Sequence, residues 1–200
     1  MYDKHGCQVA RRTADEAEQT REAIVAAAHD LFAAHGFAAT STATVVEAAG
    51  VTRGALYHHF ADKTALFQAV FERLENELND TVITAALAEK EAKAAFVAGC
   101  GAMLDFMVRP DYHQIAVVDA PAVLGSTVWH AIDSAIGLVS LQVGLHALDK
   151  AGDLRVPNTP ALAIAVFGAL TEAGISLSRR TEGTPGRDEL LDAVVSLVCG

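Results

Sequence analysis

Residues 48–60 read Ala48-Ala49-Gly50-Val51-Thr52-Arg53-Gly54-Ala55-Leu56-Tyr57-His58-His59-Phe60. Gly50 suits the left-handed backbone conformation that lets a chain turn sharply. Thr52 offers a hydroxyl to cap a helix over Arg53–His59. That helix has about two turns, too few to stand alone, so its neighbours must hold it. Upstream, Ser41 is placed to cap a first short helix whose apolar face is Val45, Val46 and Ala49. Two short helices joined by a glycine turn describe a helix-turn-helix from Thr42 to His59.

In such a motif the second helix presents its N-terminal residues to the major groove while the first crosses the backbone. The hydroxyls of Thr42 and Thr52 sit at helix starts, where they and the free N–H groups can meet phosphates. Arg53 can hydrogen-bond a guanine edge at two points. Gly54 leaves room for close approach, and Tyr57, one turn on, can donate to a phosphate. Ala55, Leu56 and Phe60 are left to pack inward. Lys63 is placed as a phosphate anchor at the start of the next helix. His58 and His59 are adjacent and point about 100° apart, so they cannot readily share a metal ion; His59 is read as a phosphate contact and no metal site is expected.

Working outward, Thr13 with Glu16 reads as a capping box, so a first helix is expected from Ala14. Ile24, Ala27, Ala28, Leu31 and Phe32 mark its buried face, and Gly36 its end. Asp62 caps a fourth helix from Lys63 along Leu66, Phe67, Val70, Phe71, Leu74 and Leu78. The reading divides the chain into a polar tail over 1–13, a DNA-binding domain over 14–80 and a ligand-binding and dimerisation domain over 81–200. Arg11 and Arg12 either enter a neighbouring minor groove or are merely solvated.

Thr20-Arg21-Glu22-Ala23-Ile24, Leu31-Phe32-Ala33-Ala34-His35-Gly36-Phe37, Thr40-Ser41 and the Ala48–Phe60 run, continued by Ala61-Asp62-Lys63-Thr64-Ala65-Leu66-Phe67, resemble the N-terminal domain of TetR-type repressors. The resemblance covers roughly residues 20–68. It implies an all-α fold: an N-terminal three-helix bundle with the helix-turn-helix, and a C-terminal helical domain that binds an effector and forms a homodimer. It also places DNA contacts at Thr42, Thr52, Arg53, Gly54, Tyr57, His58, His59 and Lys63. Partners would be a double-stranded DNA operator and a small-molecule effector whose identity the sequence does not name. Asp119-Ala120-Pro121-Ala122-Val123-Leu124-Gly125 and Gly168-Ala169-Leu170-Thr171-Glu172-Ala173 are similar to one C-terminal subgroup, which often has Gly where this chain has Ala120.

Composition agrees with a helical chain: 52% hydrophobic residues, few aromatics, and no sustained alternating run of Val, Ile or Thr. The net charge of −10 argues against a general nucleic-acid binder, and residues 1–80 carry seven basic against twelve acidic residues. DNA binding must therefore rest on a local surface. Cys7, Cys100 and Cys199 are far apart and read as reduced thiols of a cytoplasmic protein. No apolar leader is visible, and the apolar stretch Pro160–Leu177 reads as a helix buried at a subunit interface, so no membrane partner is expected.

Beyond residue 80, helices are expected over Ala92–Met107, near Tyr112–Val118, over Ser126–Lys150, from Pro160 to Arg180, and at the C-terminus. The candidate pocket residues are Phe96, Cys100, Met103, Met107, His113, Val117, Trp129 and Phe167, because Met and aromatic side chains line adaptable apolar pockets. Glu172 is a lone acid in an apolar run; if buried it needs a partner, which could be a ligand, an interface residue or water. The helices near Thr159–Arg180 and Arg187–Val198 are the expected dimer interface, with Ala161, Ala165, Gly168, Ala169 and Gly174 allowing close packing.

The chain shows no nucleophile elbow, phosphate-binding glycine loop or HExxH helix, so no enzyme and no cofactor is expected. The rival to a ligand-responsive repressor is a small-molecule carrier without DNA function. Activation in place of repression also stays open.

Overall fold

The computed structural model describes residues 4–179 and 183–199, with residues 4–14 described as helical backbone only. Among the described residues there is no strand, in agreement with the all-α expectation. In order the helices are α1 (Lys4–Ala39), α2 (Thr42–Ala49), α3 (Arg53–His59), α4 (Lys63–Leu87), α5 (Ala92–Met107), α6 (Pro110–Tyr112), a π-helical stretch (His113–Asp119), α7 (Ala120–Leu124), α8 (Ser126–Ala151), α9 (Pro160–Arg179) and α10 (Arg187–Val198).

Helix α1 begins at Lys4, ahead of the expected Ala14. Extending a formed helix fixes one residue per hydrogen bond gained, and Ala10, Arg11, Arg12 and Ala14 all favour it. The capping role given to Thr13 and the groove contact considered for Arg11 and Arg12 concern side chains outside the described residues. Helical dihedrals break at Gly36 (φ 76°), as its reading as a terminal glycine anticipates.

The chain forms two compact units, divided between Phe71 and Glu72 within α4. The sequence placed this division later on the same helix, near Asp80. Glu75 already belongs to the second unit's cavity, so the change of environment comes earlier.

In the first unit Ile24, Ala28 and Phe32 of α1, Val45 of α2, Leu56 of α3 and Leu66, Phe67 and Val70 of α4 are fully buried. The rings of Phe32, Phe37 and Phe67 meet at centroid distances of 5.2–5.8 Å. Each large side chain removed from water contributes about 1.5–3 kcal/mol, which is how a two-turn helix such as α3 is held through Leu56.

In the second unit α5 packs against α8, α9 and α10. Its core includes Phe96 and Leu104 of α5, Leu141, Leu145 and Leu148 of α8, Val166, Phe167 and Leu170 of α9, and Leu191 and Val194 of α10. Arg187 ties α10 to α5 through two bonds of 2.8 Å to Asp105. Arg109 donates to Glu77 (2.9 Å) and to both carboxylate oxygens of Asp111. The expected short helix near Tyr112–Val118 is part of a longer helical run, from Pro110 to Leu124. Pro121 lies in the first turn of α7, directly after the π-helical stretch. Helices α8 and α9 are both long and apolar enough to cross a membrane. Each sends one stripe into this core (Leu141, Leu145 and Leu148 of α8; Val166, Phe167 and Leu170 of α9), while Val139 and Val143 of α8 and Ile164 of α9 are exposed in the single chain.

Candidate nucleic-acid interface and ligand cavity

The backbone of the helix-turn-helix is set by its caps. Ser41 Oγ accepts from Thr44 N at 3.1 Å and starts α2. Gly50 (φ 65°) ends it in the left-handed region, with its N–H on the Glu47 carbonyl and that of Val51 on the Val46 carbonyl. Thr52 Oγ1 accepts from Ala55 N at 3.1 Å and starts α3. Asp62 Oδ1 accepts from Ala65 N at 2.8 Å and starts α4. These bonds satisfy orphan N–H groups that would otherwise fray helices this short.

Leu56 and Phe60 point into the core while Ala55 is half-buried, leaving Arg53, Gly54, Tyr57 and His58 on the exposed face of α3. Thr42 Oγ1 lies 3.3 Å from Tyr57 Oη, so the start of α2 is joined to the middle of α3. The Arg53 guanidinium lies 5.5 Å from the centre of the Tyr57 ring. Hydrogen bonds from Thr42 and Arg53 hold the Tyr57 phenol below its usual pKa. Thr42, Arg53 and Tyr57 thus form one connected polar surface, with Thr52 engaged as a cap and His58 and His59 in edge-to-face contact at 5.2 Å.

Lys63 has a structural task beyond the expected one. Its Nζ donates to the carbonyls of Phe37 (2.8 Å) and Thr40 (2.9 Å) and sits 4.0 Å over the Phe37 ring. Thr40, itself buried, donates to the Gly36 carbonyl at 2.9 Å. Lys63 therefore closes the corner after α1, with two of its three donors spent on these carbonyls.

The second unit contains a cavity of about 820 Å³, bounded by α4, α5, α8 and α9. Of the expected pocket residues, Phe96, Cys100, Met103 and Phe167 line it. Met107, His113, Val117, Trp129 and Glu172 do not. Met107 is buried against Gly174 of α9, filling that end of the core. Val117 is buried in the π-helical stretch, where His113 is half-buried with Nδ1 enclosed. Trp129 stands near the start of α8 with its ring 6.4 Å from that of His130. Glu172 is exposed and accepts from Ser176 Oγ at 3.4 Å, so no buried carboxylate needs explaining there. Its face of α9 holds Ala161, Ile164, Ala165 and Gly168, opposite the buried Val166, Phe167 and Leu170.

The polar residues that do line the cavity are Glu75, Asn79, Asp133 and Ser140, with Glu89 and Lys90. None was singled out from sequence as a pocket residue. The signal was register: Glu75 falls on the stripe of Phe71 and Leu78, and Asp133 on that of Leu141, Leu145 and Leu148. Glu75 is 3% exposed and Asp133 5% exposed. Tyr112 Oη donates to Glu75 Oε1 at 2.9 Å, and Ser140 Oγ donates to Asn79 Oδ1. Burial, and then the neighbouring Asp133, push the Glu75 carboxyl up to about 8. Burial pushes Asp133 up to about 6 against the opposing pull of His130.

Comparison with known proteins follows this division. Residues 24–70 match the domain described as bacterial regulatory proteins, tetR family, and residues 93–200 the tetracyclin repressor-like C-terminal domain. SrpR of Pseudomonas putida, an HTH-type transcriptional regulator, is 31% identical over 168 residues, covering 81% of this chain and 76% of SrpR. AcrR of Shigella flexneri is 43% identical over 72 residues, 36% of this chain and 34% of AcrR; for AcrR and for TtgR of Pseudomonas putida (38%) the matched region spans little more than a third of the relative. A TetR-family transcriptional regulator from Pectobacterium atrosepticum superposes with a TM-score of 0.73 at 29% identity, covering 92% of both chains. RolR, solved in complex with resorcinol, superposes with a TM-score of 0.70 at 18% identity, covering 92% of this chain and 90% of RolR, and so shares the fold. With both domains matched and SrpR aligned over most of its length, the chain belongs to the TetR family of bacterial regulatory proteins.

Proposed function

We propose that this chain is a DNA-binding transcriptional repressor that leaves a palindromic operator when a small, largely apolar molecule fills the cavity. The observation that carries the reading is the capped helix-turn-helix with Thr42, Arg53 and Tyr57 joined on one exposed face. Arg53 reads a base edge, while Thr42, Thr52, Tyr57, His58 and His59, with the backbone at Gly54 and the spare donor of Lys63, position the motif on phosphates. One such helix reads only a few base pairs, so a homodimer is needed to place two about 34–36 Å apart. Helices α9 and α10 supply the interface: Ile164 and Leu197 are 64% and 60% exposed, and Ala161, Ala165 and Gly168 permit close approach. The protein acts in the cytoplasm, where its operator is, without a cofactor.

Helix α4 offers the route of response. It begins at Lys63 beside the reading motif and contributes Glu75, Leu78, Asn79 and Val82 to the cavity. A ligand that favours one cavity shape can shift α4 only by as much as it binds the two states unequally.

The test is a gel shift on the promoter DNA beside the protein's own gene. The wild type is expected to bind, and Arg53→Ala to lose about 1–3 kcal/mol on the preferred site while discriminating less between sequences. Absence of binding by the wild type at low salt would leave the carrier reading in its place.

A further inference from the structure

The cavity is apolar over most of its lining, yet two carboxyl groups have been placed in it. Glu75 comes from α4 and Asp133 from α8, and both are more than nine-tenths buried. Glu75 has one partner, the hydroxyl of Tyr112. Asp133 Oδ2 is enclosed and has no hydrogen-bond partner. Leaving a carboxylate oxygen unpaired in an apolar surround costs several times what an ordinary hydrogen bond returns, so a purely structural role is poorly served by this arrangement. Among the described residues no buried basic side chain lines the cavity; the only basic one there is Lys90, which is exposed. His130, one turn before Asp133, acts on it only through space. Helix α5 contributes Cys100, whose burial holds the thiol up to about 12 and therefore neutral, and α9 contributes Phe167 and Leu170. Glu89 adds further negative charge.

From this geometry we infer that the cavity takes a lipophilic cation, an organic amine or quaternary ammonium, whose positive centre is received between Glu75 and Asp133 while its apolar body lies against Phe96, Met103 and Phe167. The inference rests on the cavity being the effector site. The cation supplies the counter-charge the site lacks, and the apolar lining supplies area. Both carboxyls are shifted upward, so binding a cation draws off the protons they hold, at pH 7 chiefly that of Glu75.

The experiment uses two ions of nearly equal size and opposite charge, tetraphenylphosphonium and tetraphenylborate, titrated by calorimetry into the full chain without DNA. The expected result is at least about tenfold tighter binding of the phosphonium, with protons released into the buffer at pH 7. Glu75→Gln and Asp133→Asn should each lose about tenfold or more for the phosphonium and keep or gain affinity for the borate, whose retained binding shows that the variant is folded. Equal or tighter binding of the borate by the wild type, or variants that bind the phosphonium as the wild type does, overturns the inference. The comparison of the two ions on the wild type needs no variant to fold. Operator binding is scored apart: a chain that binds its operator and shows no preference for the cation refutes the ligand class alone, whereas a chain with no operator binding refutes the regulator reading.

Discussion

Lys63 is assigned one role from sequence and is found in another. Its position at the start of α4 suits a phosphate contact, yet two of its three donors are spent on the carbonyls of Phe37 and Thr40. Removing it leaves two carbonyls of a tight corner without their charged donor, at a cost of about 1–3 kcal/mol. Lys63→Met, which keeps the apolar stem over Phe37, is therefore expected to lower the unfolding free energy by about that amount, seen as an earlier denaturation midpoint, as well as weaken binding to all DNA sequences alike. Chemical denaturation beside gel shift separates the two effects, and an unchanged midpoint would show that the carbonyl contacts contribute nothing. Glu172 teaches the reverse. An acid in an apolar run looked buried, but it occupies the face of α9 shared with Ala161, Ile164 and Gly168, which is exposed in the single chain.

At the scale of elements, the helices are set by caps and glycines that can be read directly, and their packing by close approaches that cannot. Gly50 belongs to the first kind: nothing lies within 4 Å of where a Cβ would stand, so its requirement is its positive φ alone. Gly137 belongs to the second. The ring of Phe167 from α9 occupies the space its Cβ would need, so α8 and α9 approach more closely than any other residue there would allow. Gly137→Ala is expected to destabilise the chain by about 1–3 kcal/mol through overpacking, although alanine is the better helix former. It should also alter ligand binding, since Phe167 lines the cavity. A thermal midpoint equal to or above that of the wild type would mean that the ring moves aside freely.

On the scale of the whole molecule, two buried acids couple stability to pH. The Glu75 carboxyl stands at about 8 against an ordinary 4.5, and that of Asp133 at about 6 against 3.8. Both are raised, so the folded protein holds protons that the unfolded chain has already lost. The associated stability is fully present below the ordinary carboxylate range. It is lost as pH rises, first through about 6 and then through about 8. The ligand-free protein is therefore expected to lose on the order of a few kcal/mol between pH 5 and pH 8, seen as a falling thermal midpoint, and Glu75→Gln to flatten most of that decline. A wild-type midpoint that rises over this range would contradict the buried, uncompensated state of the pair. Net charge acts at the same scale. With −10 overall, few basic groups are available to release counterions from DNA, so the proposed operator binding is expected to rest on a small set of well-placed contacts, seen as a shallow dependence of affinity on salt.

What the amino-acid order determined by itself was everything written in short-range spacing. Ser41, Gly50, Thr52 and Asp62 mark helix ends because caps and left-handed turns are local bonds, and the bounds of α2, α3, α5 and α10 follow from them and from apolar periodicity. The residues of the exposed face of α3, Arg53 and Tyr57, follow from the same period once Leu56 and Phe60 are turned inward. The cavity could not be read this way. Periodicity told which side of α5 is buried, and so found Phe96, Cys100 and Met103, but burial against a neighbour and burial against empty space look alike along a chain. Whether Met107 lines a cavity or fills it depends on Gly174, more than sixty residues away. The meeting of Glu75 with Asp133 depends on α4 and α8 facing the same void. That choice was made by packing between helices, and only the tertiary structure holds it.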